Sequence, residues 1–269
     1  MNNKAIGVFD SGLGGLSSVR ALREIMPHEN IIYFGDTGRM PYGGRSVKQI
    51  REIAVQNVDF VKSKGVKAII AACGTISSNA QDILANDDTE IIGVLKAGTS
   101  ELCATGKKKL GVIATQTSIQ SGSFGREILA LCPDAELVSV ACPKFVPMIE
   151  SGHYEASDPM VQQVVAESLR ELKEAGTEAL LLGCTHYGLI GEAISHYLGE
   201  HVILVGAADA AARAMKAYLL QNGMQAENAA GESYYTSGNL DDFRKLAPVM
   251  LGYPLAGELS FVEPFPLED

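Results

Sequence analysis

Short runs of Ile, Val, Leu and Ala recur along the chain at residues 5–9, 30–34, 68–72, 91–94, 109–113, 137–140, 179–182 and 202–205. They are continuous rather than alternating, the pattern of strands covered on both faces. Longer segments of helical period lie between them. Residues 46–64 place Ile50, Ile53, Val58 and Val61 on one side, open on Ser46 as a cap and stop at Gly65. Residues 161–174 stop similarly at Gly176, and 207–220 end before Asn222-Gly223. Strand then helix, repeated, predicts an α/β fold with mostly parallel sheets. Eight strands could close a barrel, which stands as the rival architecture. An internal repeat weighs against it. Lys4-Ala-Ile-Gly-Val-Phe9 resembles Lys108-Lys-Leu-Gly-Val-Ile113 at an offset of 104, and Ala68-Ile-Ile-Ala-Ala-Cys73 resembles Ala179-Leu-Leu-Leu-Gly-Cys184 at an offset of 111. Two strand-ending repeats in one order suggest two related α/β domains. Residues 253–269, with Pro254, Pro264 and Pro266, read as an irregular acidic tail.

Composition narrows the class of partner. The 269 residues are 46% apolar and 20% charged, which suits a soluble protein of one large or two smaller domains. A formal charge of -10 argues against nucleic acid or an anionic membrane as partner. No segment approaches the ~20 apolar residues of a membrane span, and the first residues run straight into a strand pattern without room for a signal peptide. Cys73, Cys103, Cys132, Cys142 and Cys184 form an odd set with no C-x-x-C pair, so reduced thiols in a cytoplasm are expected.

The candidate chemistry gathers at strand ends. Asp10-Ser-Gly-Leu-Gly-Gly-Leu16 follows the first strand, but its spacing fails the dinucleotide fingerprint and it lacks the lysine of a P-loop. It reads either as an amide cradle for a carboxylate or as a tight turn whose glycines supply unusual dihedrals. Cys73 and Cys184 each end an apolar strand just before a helix, where ligands bind in open α/β sheets and where the helix dipole favours thiolate. A free cysteine is commonly an inert small hydrophobe, the reading kept for Cys103, Cys132 and Cys142. Two thiols at equivalent ends of a repeat point instead to one thiolate removing a proton from carbon while the opposite thiol delivers one, inverting a stereocentre without a cofactor. Asp10 and His186 suit the task of setting their opposite protonation states. Cys184-Thr-His186 supplies two potential metal ligands without a second pair, so no metal is expected. His28, His153, His196 and His201 have no obvious partners, and Arg39 and Arg45 read as solvated loop arginines rather than carboxylate clamps.

The chain resembles bacterial glutamate racemase over nearly its whole length. The resemblance rests on Asp10-Ser-Gly-Leu-Gly-Gly-Leu16, Gly35-Asp-Thr-Gly-Arg-Met-Pro-Tyr-Gly43, Cys73-Gly-Thr75, Ala141-Cys-Pro-Lys-Phe-Val-Pro147 with Glu150, and Leu182-Gly-Cys-Thr-His-Tyr187. It implies two pseudo-symmetric, doubly wound domains with the active site between them, the second (97–205) inserted into the first (1–96 plus 206–269). It also implies a homodimer, no cofactor, and supply of D-glutamate for peptidoglycan. Carried over, Cys73 and Cys184 are the acid/base thiols, assisted by Asp10 on one side and by His186 and Glu150 on the other. Asp10, Ser11, Tyr42, Gly43, Gly74, Thr75, Thr185 and His186 line the glutamate site. The family pattern has asparagine, proline and proline-glycine where this chain has Gly74, Gly188 and Ala97-Gly98. An amide side chain at 74 could hydrogen-bond the substrate, so Gly74→Asn is expected to raise kcat/KM about tenfold. A sister racemase for aspartate or another small acid, and a non-catalytic binding descendant, are the alternatives.

Overall fold

The computed structural model describes residues 2–228 and 231–267. Its strands are β1 (Ile6–Asp10), β2 (Ile31–Gly35), β3 (Ala68–Ala71), β4 (Ile91–Gly93), β5 (Lys109–Ala114), β6 (Glu136–Ala141), β7 (Ala179–Leu182), β8 (Ile203–Gly206), β9 (Glu232–Thr236) and β10 (Glu258–Phe261). They form two open sheets, ordered β10-β9-β2-β1-β3-β4 and β6-β5-β7-β8, which sets the barrel aside. Every pairing among them is parallel.

The internal repeat is written into the register. Ile6 lies opposite Ile31 and Ala68 in the first sheet, and Leu110 lies opposite Leu137 and Ala179 in the second. The offsets of 104 and 111 thus carry β1 onto β5 and β3 onto β7 without a slip. A one-residue slip would have turned every side chain to the other face.

Continuous apolar runs are needed because each sheet is covered twice. Ile6 and Val8 face a core that also takes Leu110, Val112 and Leu181 from the second sheet, together with Leu102 and Met215 from helices between the two. Phe9 faces the opposite way, onto Ile50, Ile53 and Val58. Ile113, Leu180 and Leu182 likewise face an outer core built on Val161, Val165 and Leu169. Three apolar layers result, and both sheets contribute to the middle one. The helices begin where the sequence signals them. Ser46 and Gln49 close a reciprocal capping box on helix Val47–Ser63. Asp158 accepts the Met160 N–H at 2.8 Å ahead of helix Pro159–Glu174, and helix Ala207–Gln221 leads the chain out of β8.

Two strands depart from the sequence reading. β9 is aromatic rather than aliphatic, and β10 lies within the stretch read as irregular. β10 is an edge strand, half-buried at its centre and exposed at both ends, so it carries no continuous apolar run. Beyond it, the Phe265 and Pro266 carbonyls accept from Arg39 and Gln56. Among the described residues no helix is long and apolar enough to cross a membrane.

Candidate active site

Parallel pairing puts the carboxyl ends of β1, β2 and β3 on one edge and those of β5, β6 and β7 on another. The segments that follow these strands enclose a cavity of about 410 Å³. Every candidate residue borders it. From the first sheet come Asp10 and Ser11 after β1, Tyr42 and Gly43 after β2, and Cys73, Gly74 and Thr75 after β3. Cys184, Thr185 and His186 arrive after β7, and Glu150 from the helix Phe145–Glu150 that follows β6. Among the described residues the lining contains no lysine or arginine, so the cationic candidate inside it is His186.

The glycine turn does not need its glycines for unusual dihedrals, one of its two sequence readings. Gly12, Gly14 and Gly15 have no positive φ. The Gly15 N–H donates to the Asp10 carboxylate at 2.7 Å, so the turn holds its own acid. The glycines serve close approach. A Cβ on Gly15 would meet the Asp10 Cβ at 2.6 Å, and one on Gly14 would run into the His186 ring. The bare turn therefore lets His186, from the other sheet, pack against the β1 end.

The two thiols occupy matching places in unmatched surroundings. Cys73 is 3% exposed, and burial, followed by the charge of Asp10, pushes its thiol up to about 12. Hydrogen bonds from the neighbouring backbone and from Ser11 oppose this without overcoming it. The helix that follows, Gly74–Asn79, spans six residues. The expected thiolate at Cys73 is thus corrected to a protonated thiol: desolvation outweighs a short dipole. Across the cavity, Cys184 Sγ lies 3.8 Å from His186 Nδ1, and His186 Nε2 lies 3.2 Å from Glu150 Oε1. Burial drives His186 down, but its bonds to Cys184 and Glu150 prevail, with the charge of Asp10 adding, and hold it up at about 10. A carboxylate faces one sulfur and an imidazolium the other. The repeat marks this asymmetry: the offset of 104 carries Asp10 onto Ala114, and that of 111 carries Thr75 onto His186.

The loop after β2 is fixed from below. Asp36, fully buried, accepts from Arg39 Nη2 at 2.6 Å, from Ser237 Oγ at 2.6 Å and from the Tyr42 hydroxyl. Asn57 donates to the same hydroxyl at 3.1 Å. Tyr42 therefore borders the cavity with its hydroxyl already spent inside the protein. Arg39 is 5% exposed and ion-paired rather than a solvated loop arginine, and Arg45 donates to the Arg39 carbonyl at 2.6 and 3.0 Å. Above, Thr117 donates from the second sheet's side to the Gly43 carbonyl, latching the loop across the cleft.

Some lining residues escaped the sequence reading. Thr115 bonds Ser118 at 2.9 Å and lies 3.4 Å from Thr75 Oγ1. The offset of 104 would have found it, since it carries Ser11 onto Thr115. Cys142, read as structural, also borders the cavity, and burial plus the neighbouring Cys184 push its thiol up to about 12. His153, outside the site, pairs with Asp158 at 2.7 Å. Among the described residues no group of three or more His, Cys, Asp or Glu side chains could hold a metal ion. A Cβ at 74 would sit 2.6 Å from the Gly183 backbone oxygen, so an asparagine there needs the surrounding backbone to shift before its amide could reach a substrate.

Residues 17–215 match the model of the Asp/Glu/hydantoin racemase family. A glutamate racemase of Thermoanaerobacter pseudethanolicus is 40% identical over 258 residues, covering 94% of this chain and 95% of that protein. The crystal structure of Francisella tularensis glutamate racemase in complex with D-glutamate superposes with a TM-score of 0.90 at 36% identity, over 98% of this chain and 99% of that one. The Bacillus anthracis glutamate racemase isoform RacE1 gives 0.92 at 31%, over 99% and 100%. The chain belongs to the Asp/Glu/hydantoin racemase family and groups within it with the glutamate racemases.

Proposed function

We propose that this protein interconverts L- and D-glutamate by proton transfer between Cys73 and Cys184, without a cofactor. The observation that carries the reading is the placement of two thiols from equivalent strand ends on one cavity. The charges support a division of labour. Cys73 holds its proton as the acid, while the His186 imidazolium faces Cys184 and steadies negative charge on that sulfur. In one direction Cys184 takes the alpha proton and Cys73 delivers its own to the opposite face; the return reaction exchanges the roles. Thr75, Thr185 and the amides of the turns are suited to hold the amino acid's polar groups in a cavity where fixed dipoles act strongly. The two sheets support two domains, 1–96 plus 206–269 and 97–205. The same reading places the protein in the cytoplasm as a homodimer supplying D-glutamate for peptidoglycan.

The test is turnover in D2O with each enantiomer of glutamate and of aspartate. Solvent deuterium should enter the alpha carbon of glutamate from either side, and Cys73→Ala and Cys184→Ala should each abolish racemisation. Near-normal racemisation by either variant would rule out the two-thiol mechanism, and faster turnover of aspartate would move the substrate assignment.

A further inference from the structure

At Gly74 the two halves of the molecule touch with nothing between them but backbone. A Cβ there would lie 2.6 Å from the Gly183 carbonyl oxygen, 0.8 Å inside the 3.4 Å at which ordinary contact begins. Both backbones are tied within their own halves. Gly74 opens helix Gly74–Asn79; its carbonyl accepts from Ser78 Oγ, and the neighbouring Cys73 carbonyl accepts the Ser77 N–H at 2.9 Å. Gly183 donates to the Ile113 carbonyl at 2.8 Å, and its own Cα faces Phe124, whose ring a Cβ would meet at 2.9 Å. Added bulk at 74 is thus relieved by moving one half away from the other. Each partner in the contact is also the chain neighbour of a thiol, Cys73 beside Gly74 and Cys184 beside Gly183, so any opening is transmitted to the span between the sulfurs.

We infer that Gly74 is a positioning residue: its missing side chain sets the closest approach of the two halves and thereby the distance across which a proton is handed between Cys73 and Cys184. The inference rests on the racemase reading for its catalytic consequence, though not for its geometry. Small errors in the placement of reacting groups cost large factors in rate, and the cost falls on the chemical step more than on binding.

The test compares Gly74→Ala with Gly191→Ala, which adds the same methyl where nothing lies within 4 Å. In Gly74→Ala, kcat should fall at least tenfold in both directions while KM changes less than threefold. Independently of turnover, alkylation of Cys73 by iodoacetamide, read by peptide mass, should quicken several-fold, because the separated halves expose it. Gly191→Ala should match the wild type in both readouts. Wild-type kcat or wild-type Cys73 labelling in Gly74→Ala would overturn the inference. So would an unfolded Gly74→Ala protein by circular dichroism, since Gly74 would then be a requirement of the fold and not a spacer. A wild-type protein inactive on glutamate would defeat the racemase reading and leave the labelling comparison to judge the spacer.

Discussion

Asp10 beside Cys73 and His186 beside Cys184 make single side chains answerable for how the site responds to pH. In the fold His186 is held up at about 10, against an ordinary 6.5. The stability it contributes is complete below the ordinary value and is lost as pH rises through about 10. Cys73, pushed up to about 12 from 9.0, keeps its proton in the fold and loses it readily in the unfolded chain. It therefore erodes stability in the same direction, beginning higher. The melting temperature should fall between about pH 7 and 10, and His186→Asn should flatten the lower part of that decline. A wild-type melting temperature constant over the interval would contradict the assignment. Exposure orders the two candidate thiols as well: Cys184 is partly exposed and Cys73 buried, so limited alkylation should reach Cys184 before Cys73.

The loop from Asp36 to Arg45, regular only in the short 3-10 turn Tyr42–Gly44, shows how a connecting segment is held rigid over a binding site. Its anchor is a buried carboxylate that accepts from an arginine, a serine and a tyrosine. Arg39→Ala would strip the charge partner from a fully buried Asp36, and breaking such a pair costs about 3–5 kcal/mol. Urea unfolding should register that loss, and KM for glutamate should rise as Tyr42 and Gly43 lose their support; a change under about 1 kcal/mol would show the network to be dispensable. This loop also marks where the sequence stopped being readable. The strands were plain because Ile, Val and Leu runs are dictated by burial on both faces, and Ser46 announced its helix because a cap is a local matter. That both thiols border one cavity was legible from their strand-end setting and the repeat. Arg39, by contrast, looked solvated because, apart from Asp36 nearby, its partners Asn57, Gln56 and the Phe265 carbonyl lie far along the chain or in the tail. The ionisation of Cys73 is hidden from the sequence for a similar reason. The dipole of the next helix is visible in the sequence, whereas the desolvation that defeats it is a property of the assembled cleft. Gly74 reads in the sequence as a lost hydrogen-bonding group, since nothing local reveals that Gly183 faces it.

As a whole, the molecule is a pair of sheets that share their middle. Leu110, Val112 and Leu181 of one sheet pack in the same core as Ile6, Val8 and Ile70 of the other, so neither sheet can shed its partner without exposing that layer to water. Unfolding in urea should be a single transition, with far-UV circular dichroism and tyrosine fluorescence coinciding. Leu181→Ala should lower stability by about 2–5 kcal/mol without splitting it. Two separated transitions would show the halves to be independent. The likeness of those halves has one more consequence, for the two directions of the proposed reaction. Enantiomers in water have equal free energy, so the equilibrium constant between them is unity whatever the protein does. The ratio kcat/KM must then be identical for the L and D forms. Ala114 standing where symmetry would ask for a second Asp10, and Thr75 where it would ask for a second His186, cannot tilt that balance. What the mismatch can do is distribute the same efficiency unequally, giving one hand tighter binding with slower turnover and the other looser binding with faster.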